Sequence, residues 1–159
     1  MPRHSLKAFS ILLAAGLLAL ALHAKDEPVE KPKRTPSPKG AQVYIVSPKD
    51  GESVKPKFTV VFGLKGMGIC PAGLTAAGGQ PFPNTGHHHL LVNAEMLPPV
   101  DVPLVVDKPQ LIKHYGMGQT EAEIELPPGK HTLQLMFADH AHVAHEPPVI
   151  SKKITVTVK

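Results

Sequence analysis

Residues 121–142 read EAEIELPPGKHTLQLMFADHAH. In the first six, Ala122, Ile124 and Leu126 fall on one side and Glu121, Glu123 and Glu125 on the other. That alternation is the period of a β-strand with one apolar and one solvated face. LPPGKH supplies turn chemistry. Alternation then resumes, with Leu133, Leu135 and Phe137 on one face and Thr132, Gln134 and Met136 opposite. The two runs read as consecutive strands joined by that tight turn.

The same period extends outward. Phe58, Val60, Phe62 and Leu64 share a face in FTVVFGL, and Ile154, Val156 and Val158 do so in KITVTVK. QVYIVSP (42–48) makes a first strand that ends at the PKDGESV turn. Between Gln42 and Lys159 no stretch carries a convincing helical period. Short strands separated by Pro and Gly turns predict an all-β fold, an immunoglobulin-like antiparallel β-sandwich forming one domain over 41–159. With no Trp and a single Cys, it lacks the marks of an antibody-like domain. Two Gly/Pro-rich stretches, 65–86 and 95–119, break the tidy pattern, and loops of that length are usually functional or disordered.

Upstream, residues 1–24 read as a cleaved signal peptide. Arg3 and Lys7 form a basic start, Ile11–Leu22 is an apolar run too short to span a bilayer comfortably, and small residues lead to a cleavage point after Ala24. The expected location is therefore periplasmic or otherwise exported, with no stable membrane span after cleavage. Residues 25–40, rich in Pro and Lys, read as a disordered linker. The formal charge of +4 resides entirely in these two segments, because residues 41–159 hold ten basic and ten acidic side chains. Without a basic stripe on the domain, nucleic acid is excluded as a partner. Cys70 has no partner within the chain for a disulfide.

Chemistry is concentrated in histidines. In NTGHHHLLVNA (84–94), the alternation places His88 in line with Leu90 and Val92, toward the core, and His87 with His89 on the other face. Two residues apart on a strand, those imidazoles start from Cβ atoms about 6–7 Å apart, a half-site for copper or zinc. FADHAHVAHEPPV (137–149) adds Asp139, His140, His142 and His145. If the strand continues past Phe137, His140 and His142 repeat the spacing, and Asp139 either ligates or orients an imidazole. His114 is a possible addition from the 95–119 stretch. Met67, Cys70 and Met117 are soft donors that copper would accept, but a lid or packing role for the methionines and burial for Cys70 are the better readings. His88 and His131, on apolar faces, read as structural.

GLKGMGICPAG, NTGHHHLLV and the run from His114 through EPPVISKKITVTV resemble a family of small exported bacterial domains whose function is not established. The resemblance covers about Phe58 to Val158 and is carried by Gly66, Met67, Gly68 and Pro71, by His87, His88, His89 and His114, by Gly118, Gln119, Thr120 and Glu121, and by His131, Asp139, His140, His142 and His145. Cys70 and Met117 depart from the family pattern. The resemblance implies a compact exported domain and supplies no activity.

The leading expectation is an exported binding module that holds copper or zinc through His87, His89, His114, His140, His142 and His145, as a carrier, buffer or sensor. One alternative is a module for a small envelope ligand or partner protein, its histidines forming a polar network responsive to pH. The other is a metal-dependent enzyme, for which the sequence offers no nucleophile motif and no isolated carboxylate pair.

Overall fold

The alternating segments become strands that pack into two layers. The computed structural model describes residues 31–104 and 111–159; the segment expected to be a signal peptide and the first six residues of the expected linker lie outside them. In chain order the strands are β1 (Gln42–Ser47), β2 (Ser53–Val54), β3 (Lys57–Lys65), β4 (Gly68–Ile69), β5 (Thr85–Val92), β6 (Ile112–Tyr115), β7 (Glu121–Glu125), β8 (Gly129–Ala138), β9 (Ala144–Ile150) and β10 (Ile154–Val158). The smaller sheet runs β1-β3-β7. The larger runs β2-β10-β8-β5-β4, with β6 on β5 and β9 on β8. Apart from two short parallel pairs, β2 with β10 and β4 with β5, the ladders are antiparallel. The fold is an all-β sandwich. Among the described residues no helix is long and apolar enough to cross a membrane.

The apolar faces read from the sequence meet between the sheets. Val43, Val60, Phe62 and Ile124 from the smaller sheet pack against Leu90, Leu133, Leu135, Phe137 and Val156 from the larger. Burial of this kind contributes roughly 1.5–3 kcal/mol per large side chain. Glu121, Glu123 and Glu125 remain exposed on the outside of the smaller sheet, as expected of a sheet with one solvated face.

The larger sheet departs from that pattern. Leu91, Met136 and Ala138, on its outer face, form a second apolar cluster with Leu104 and Ala144. From Gly86 to Val92 every residue of β5 is buried. β5 is therefore covered on both sides, and any polar side chain on its outer face lies beneath other structure. That is where His87 and His89 fall.

The described part of the stretch expected to be a disordered linker is not free along its whole length. Glu146 N–H donates to the Thr35 carbonyl at 2.8 Å and Ser37 N–H to the Glu146 carbonyl at 2.9 Å, so Pro36 forms a parallel bridge with Glu146 on β9. Arg34 donates through Nε to the Ala144 carbonyl at 3.0 Å and reaches the His145 carbonyl and the Glu146 carboxylate. The strand β9 offers this short segment an edge of unpaired backbone groups, which outweighs its polar composition.

Candidate metal centre

Three chain segments build one cluster. β5 contributes His87 and His89, two apart and therefore on the same face. The opposite face of β5 carries His88, which is directly across from Phe137 and packs on Phe62 and Phe137 with ring centroids 5.0 and 5.1 Å away. Its Nδ1 donates to the Gln119 carbonyl at 3.2 Å. His88 thus occupies the core, as the alternation implies. β6 sets His114 directly opposite His89. The sequence places His114 in an irregular stretch, because a four-residue strand carries too little alternation to be recognised.

The fourth imidazole arrives differently from expectation. β8 ends at Ala138, so the strand does not carry on through His140 and His142. Asp139 turns the chain: its Oδ1 accepts the N–H groups of Ala141 and Val143 at 2.9 and 3.0 Å. The backbone closes the turn, with Asp139 N–H donating to the Val143 carbonyl and His142 N–H to the Asp139 carbonyl, each at 3.0 Å. His142 adopts a φ of 66°, a left-handed conformation costly for a residue with a side chain. The result directs His142 over β5.

His87, His89, His114 and His142 each offer a ring nitrogen within 4.8 Å of the others. Ring centroids lie 4.7 Å apart for His87 and His89, 4.8 Å for His114 and His142, and 4.9 Å for His87 and His142. His87 and His89 are 0% exposed, and among the described residues neither nitrogen of either ring has a hydrogen-bond partner. Leaving a buried polar atom unpaired costs about 1–3 kcal/mol, so such atoms call for a partner that completes them. Four convergent imidazoles, two of them otherwise unsatisfied, supply the number and type of nitrogen donors that zinc and copper accept.

Electrostatics keeps these rings ready to ligate. Burial, reinforced by the neighbouring imidazoles, lowers the pKa of His87 to about 3 and that of His89 to about 2. His114 is lowered by burial and by His142. At neutral pH His87, His89 and His114 are thus uncharged, the form that has a lone pair to give.

His140 and His145 do not join this group. His145 is buried, stacked on Phe137 with centroids 5.9 Å apart, and its Nδ1 lies 2.8 Å from the Thr35 hydroxyl. That hydroxyl donates onward to Asp139 Oδ2 at 3.1 Å. His140 and His145 line a separate cavity of about 270 Å³ with Phe82 and three prolines. Asp139 acts on the cluster through the backbone, not through an imidazole. Cys70 is buried and unpaired, Met67 packs against the main core, and Met117 is 81% exposed. His131 is structural, its Nε2 donating to the Pro127 carbonyl at 2.8 Å.

Gly116 is a determinant that the sequence reading did not single out. A Cβ there would overlap the His114 ring and press on Ala72. The glycine thus makes room for the imidazole.

A β-sandwich domain with a four-histidine cluster beneath its loops is the class that fold and site define. Residues 60–159 match the family described as Domain of unknown function (DUF4399), and the chain belongs to that family. No curated protein matches. Among solved structures, the endo-beta-1,4-mannanase from Thermotoga petrophila is 16% identical at a TM-score of 0.38, covering 75% of this chain and 20% of that one. The fibronectin(III)-like modules of Clostridium thermocellum CbhA are 11% identical at a TM-score of 0.35, covering 74% of this chain and 96% of that one.

Proposed function

We propose that this protein binds one divalent transition-metal ion, zinc or copper, through His87, His89, His114 and His142, and serves the cell envelope as a carrier, buffer or sensor of that ion. The observation that carries the reading is the pair of fully buried imidazoles, His87 and His89, with no hydrogen-bond partner at either nitrogen among the described residues, facing two further imidazoles within reach. The donor set is all nitrogen. Cys70 and Met67 lie outside it, which favours Zn(II) or Cu(II) over Cu(I), an ion that prefers sulfur. Catalytic zinc sites keep three protein ligands and leave the fourth position for water. Here a fourth imidazole stands within the group, so holding an ion is a better-supported task than catalysis. The envelope setting rests on the signal-like N-terminal sequence.

One observation favours a metal-free polar network instead. The His114 and His142 Nε2 atoms are 3.1 Å apart, a separation at which one ring can donate to the other. That pair leaves His87 and His89 unserved. Zinc and Cu(II) titration of the untagged protein, with metal analysis after purification, tests the reading. One equivalent bound tighter than micromolar, lost in the His87→Ala/His89→Ala variant, is the expected result. No stoichiometric uptake by the wild-type chain would establish the network reading.

A further inference from the structure

The cluster is tied to a segment far from it in sequence. Thr35 precedes the domain, yet its hydroxyl donates to Asp139 Oδ2 at 3.1 Å. Because its single proton is used there, the 2.8 Å contact with His145 Nδ1 has the imidazole N–H donating to the hydroxyl oxygen. His145 cannot turn away from this role, being buried and stacked on Phe137. Thr35 is held from the other side by backbone, since its carbonyl accepts the Glu146 N–H at 2.8 Å, and by the Arg34 contacts along β9.

Asp139 is the other half of the link. One oxygen faces Thr35 and the other holds the N–H groups of Ala141 and Val143, which flank His142. The left-handed backbone of His142 is held by that oxygen together with the two backbone bonds that close the turn. The His142 carbonyl is also engaged, accepting the Leu104 N–H at 2.9 Å. The path from segment to ligand therefore runs through four residues in direct contact: His145, Thr35, Asp139 and His142.

We propose that residues 34–37 form a strap whose docking on β9 sets the affinity of the histidine cluster, with Thr35 and Asp139 acting as positioning residues for His142. The inference rests on the four-histidine reading above. Docking and metal binding favour each other, and the coupling is reciprocal by linkage: the strap holds His142 in place for the ion, and the ion holds the strap down. A partner or a tension that lifts the segment off β9 then releases the metal. This gives the segment preceding the sandwich a regulatory role, where composition reads as a disordered linker.

The test uses the full chain with zinc as the probe, and compares wild type with Thr35→Val, which removes the hydroxyl, and Thr35→Ser, which keeps it. Chelator competition should show Thr35→Val weaker by roughly tenfold or more, the usual cost of losing a group that orients a ligand, with Thr35→Ser close to wild type. Amide exchange should slow at Ser37 and Glu146 when zinc is added to wild type, a change that a purely structural contact would not produce. Wild type that binds no zinc overturns the metal reading itself. Wild type that binds zinc, with Thr35→Val equal in affinity or with exchange at Ser37 indifferent to zinc, overturns the strap alone.

Discussion

His114 stands directly across from His89 on the outer face of the larger sheet, and its Nε2 lies 3.1 Å from that of His142. Residues 28 positions apart are thus brought together by a strand pair and a turn, while His140, two residues from His142, is left outside. The cluster is selective in a way that a count of histidines is not. His89→Ala should lower zinc or Cu(II) affinity by at least about a hundredfold, since a lost ligand costs more than the 10–100-fold of a supporting contact. His140→Ala should stay within a few-fold of wild type. Parallel titrations of the two variants check this, and equal losses would show that the second histidine group shares the ion.

Gly116 offers a way to perturb the site without touching a ligand. Its backbone is not left-handed, so alanine is compatible with the local conformation. The added methyl would occupy the space of the His114 ring, with Ala72 behind it. His114 is exposed and can swing outward at little cost to folding. Gly116→Ala should therefore reduce metal affinity about tenfold or more while changing the stability of the metal-free protein by less than about 1 kcal/mol. Isothermal titration alongside urea unfolding in chelator separates the two effects.

How far the sequence reaches depends on how local the cause is. Alternation placed His88 in line with Leu90 and Val92 and put His87 with His89 on the other face, because a strand's period is a property of the strand alone. The sandwich followed from the same signal. The covering of β5 on both sides did not, since Leu104 and Ala144 are remote from it and their arrival is tertiary. Nor did the position of His142. Asp139 ends β8 by capturing two N–H groups, and a short polar side chain that competes with a ladder leaves little trace in hydrophobic periodicity. The docking of Thr35 was hidden for a related reason: a polar, Pro-rich segment can be ordered by backbone pairing that composition does not report.

The buried imidazoles make stability depend on pH. Burial lowers the pKa of His88 to about 4, against a partial rise from its bond to the Gln119 carbonyl, and lowers His87 to about 3 and His89 to about 2. The unfolded chain keeps a value near 6.5, so below that pH it binds more protons than the folded chain. Stability therefore rises with pH through this window and falls on acidification from about 6.5 toward the folded values, by about 1.4 kcal/mol per pH unit for each fully depressed group. Urea unfolding of metal-free protein at pH 7 and pH 5 should show the midpoint dropping steeply. A flat profile would mean that these rings accept protons while folded.

Gly86, immediately before the three histidines, allows β5 to approach β8 closely. A Cβ at Gly86 would overlap the Ala138 carbonyl oxygen and crowd the Phe137 ring, whereas one at Gly68 would only touch the Thr85 methyl at 3.4 Å. Neither glycine has a left-handed backbone, so the contrast between them is purely one of space. The obstacle at Gly86 is backbone in the ladder that pairs His87 with Ala138, and it cannot rotate aside. Gly86→Ala should destabilise the protein by about 1–3 kcal/mol through overpacking, and it should weaken metal binding as well, because His87 is the next residue. Gly68→Ala should be neutral or mildly stabilising, since alanine loses less chain entropy on folding. Denaturant midpoints for both variants, measured in chelator and then with zinc, check the pair. Equal stabilities would show that β5 and β8 tolerate a wider separation than the register implies.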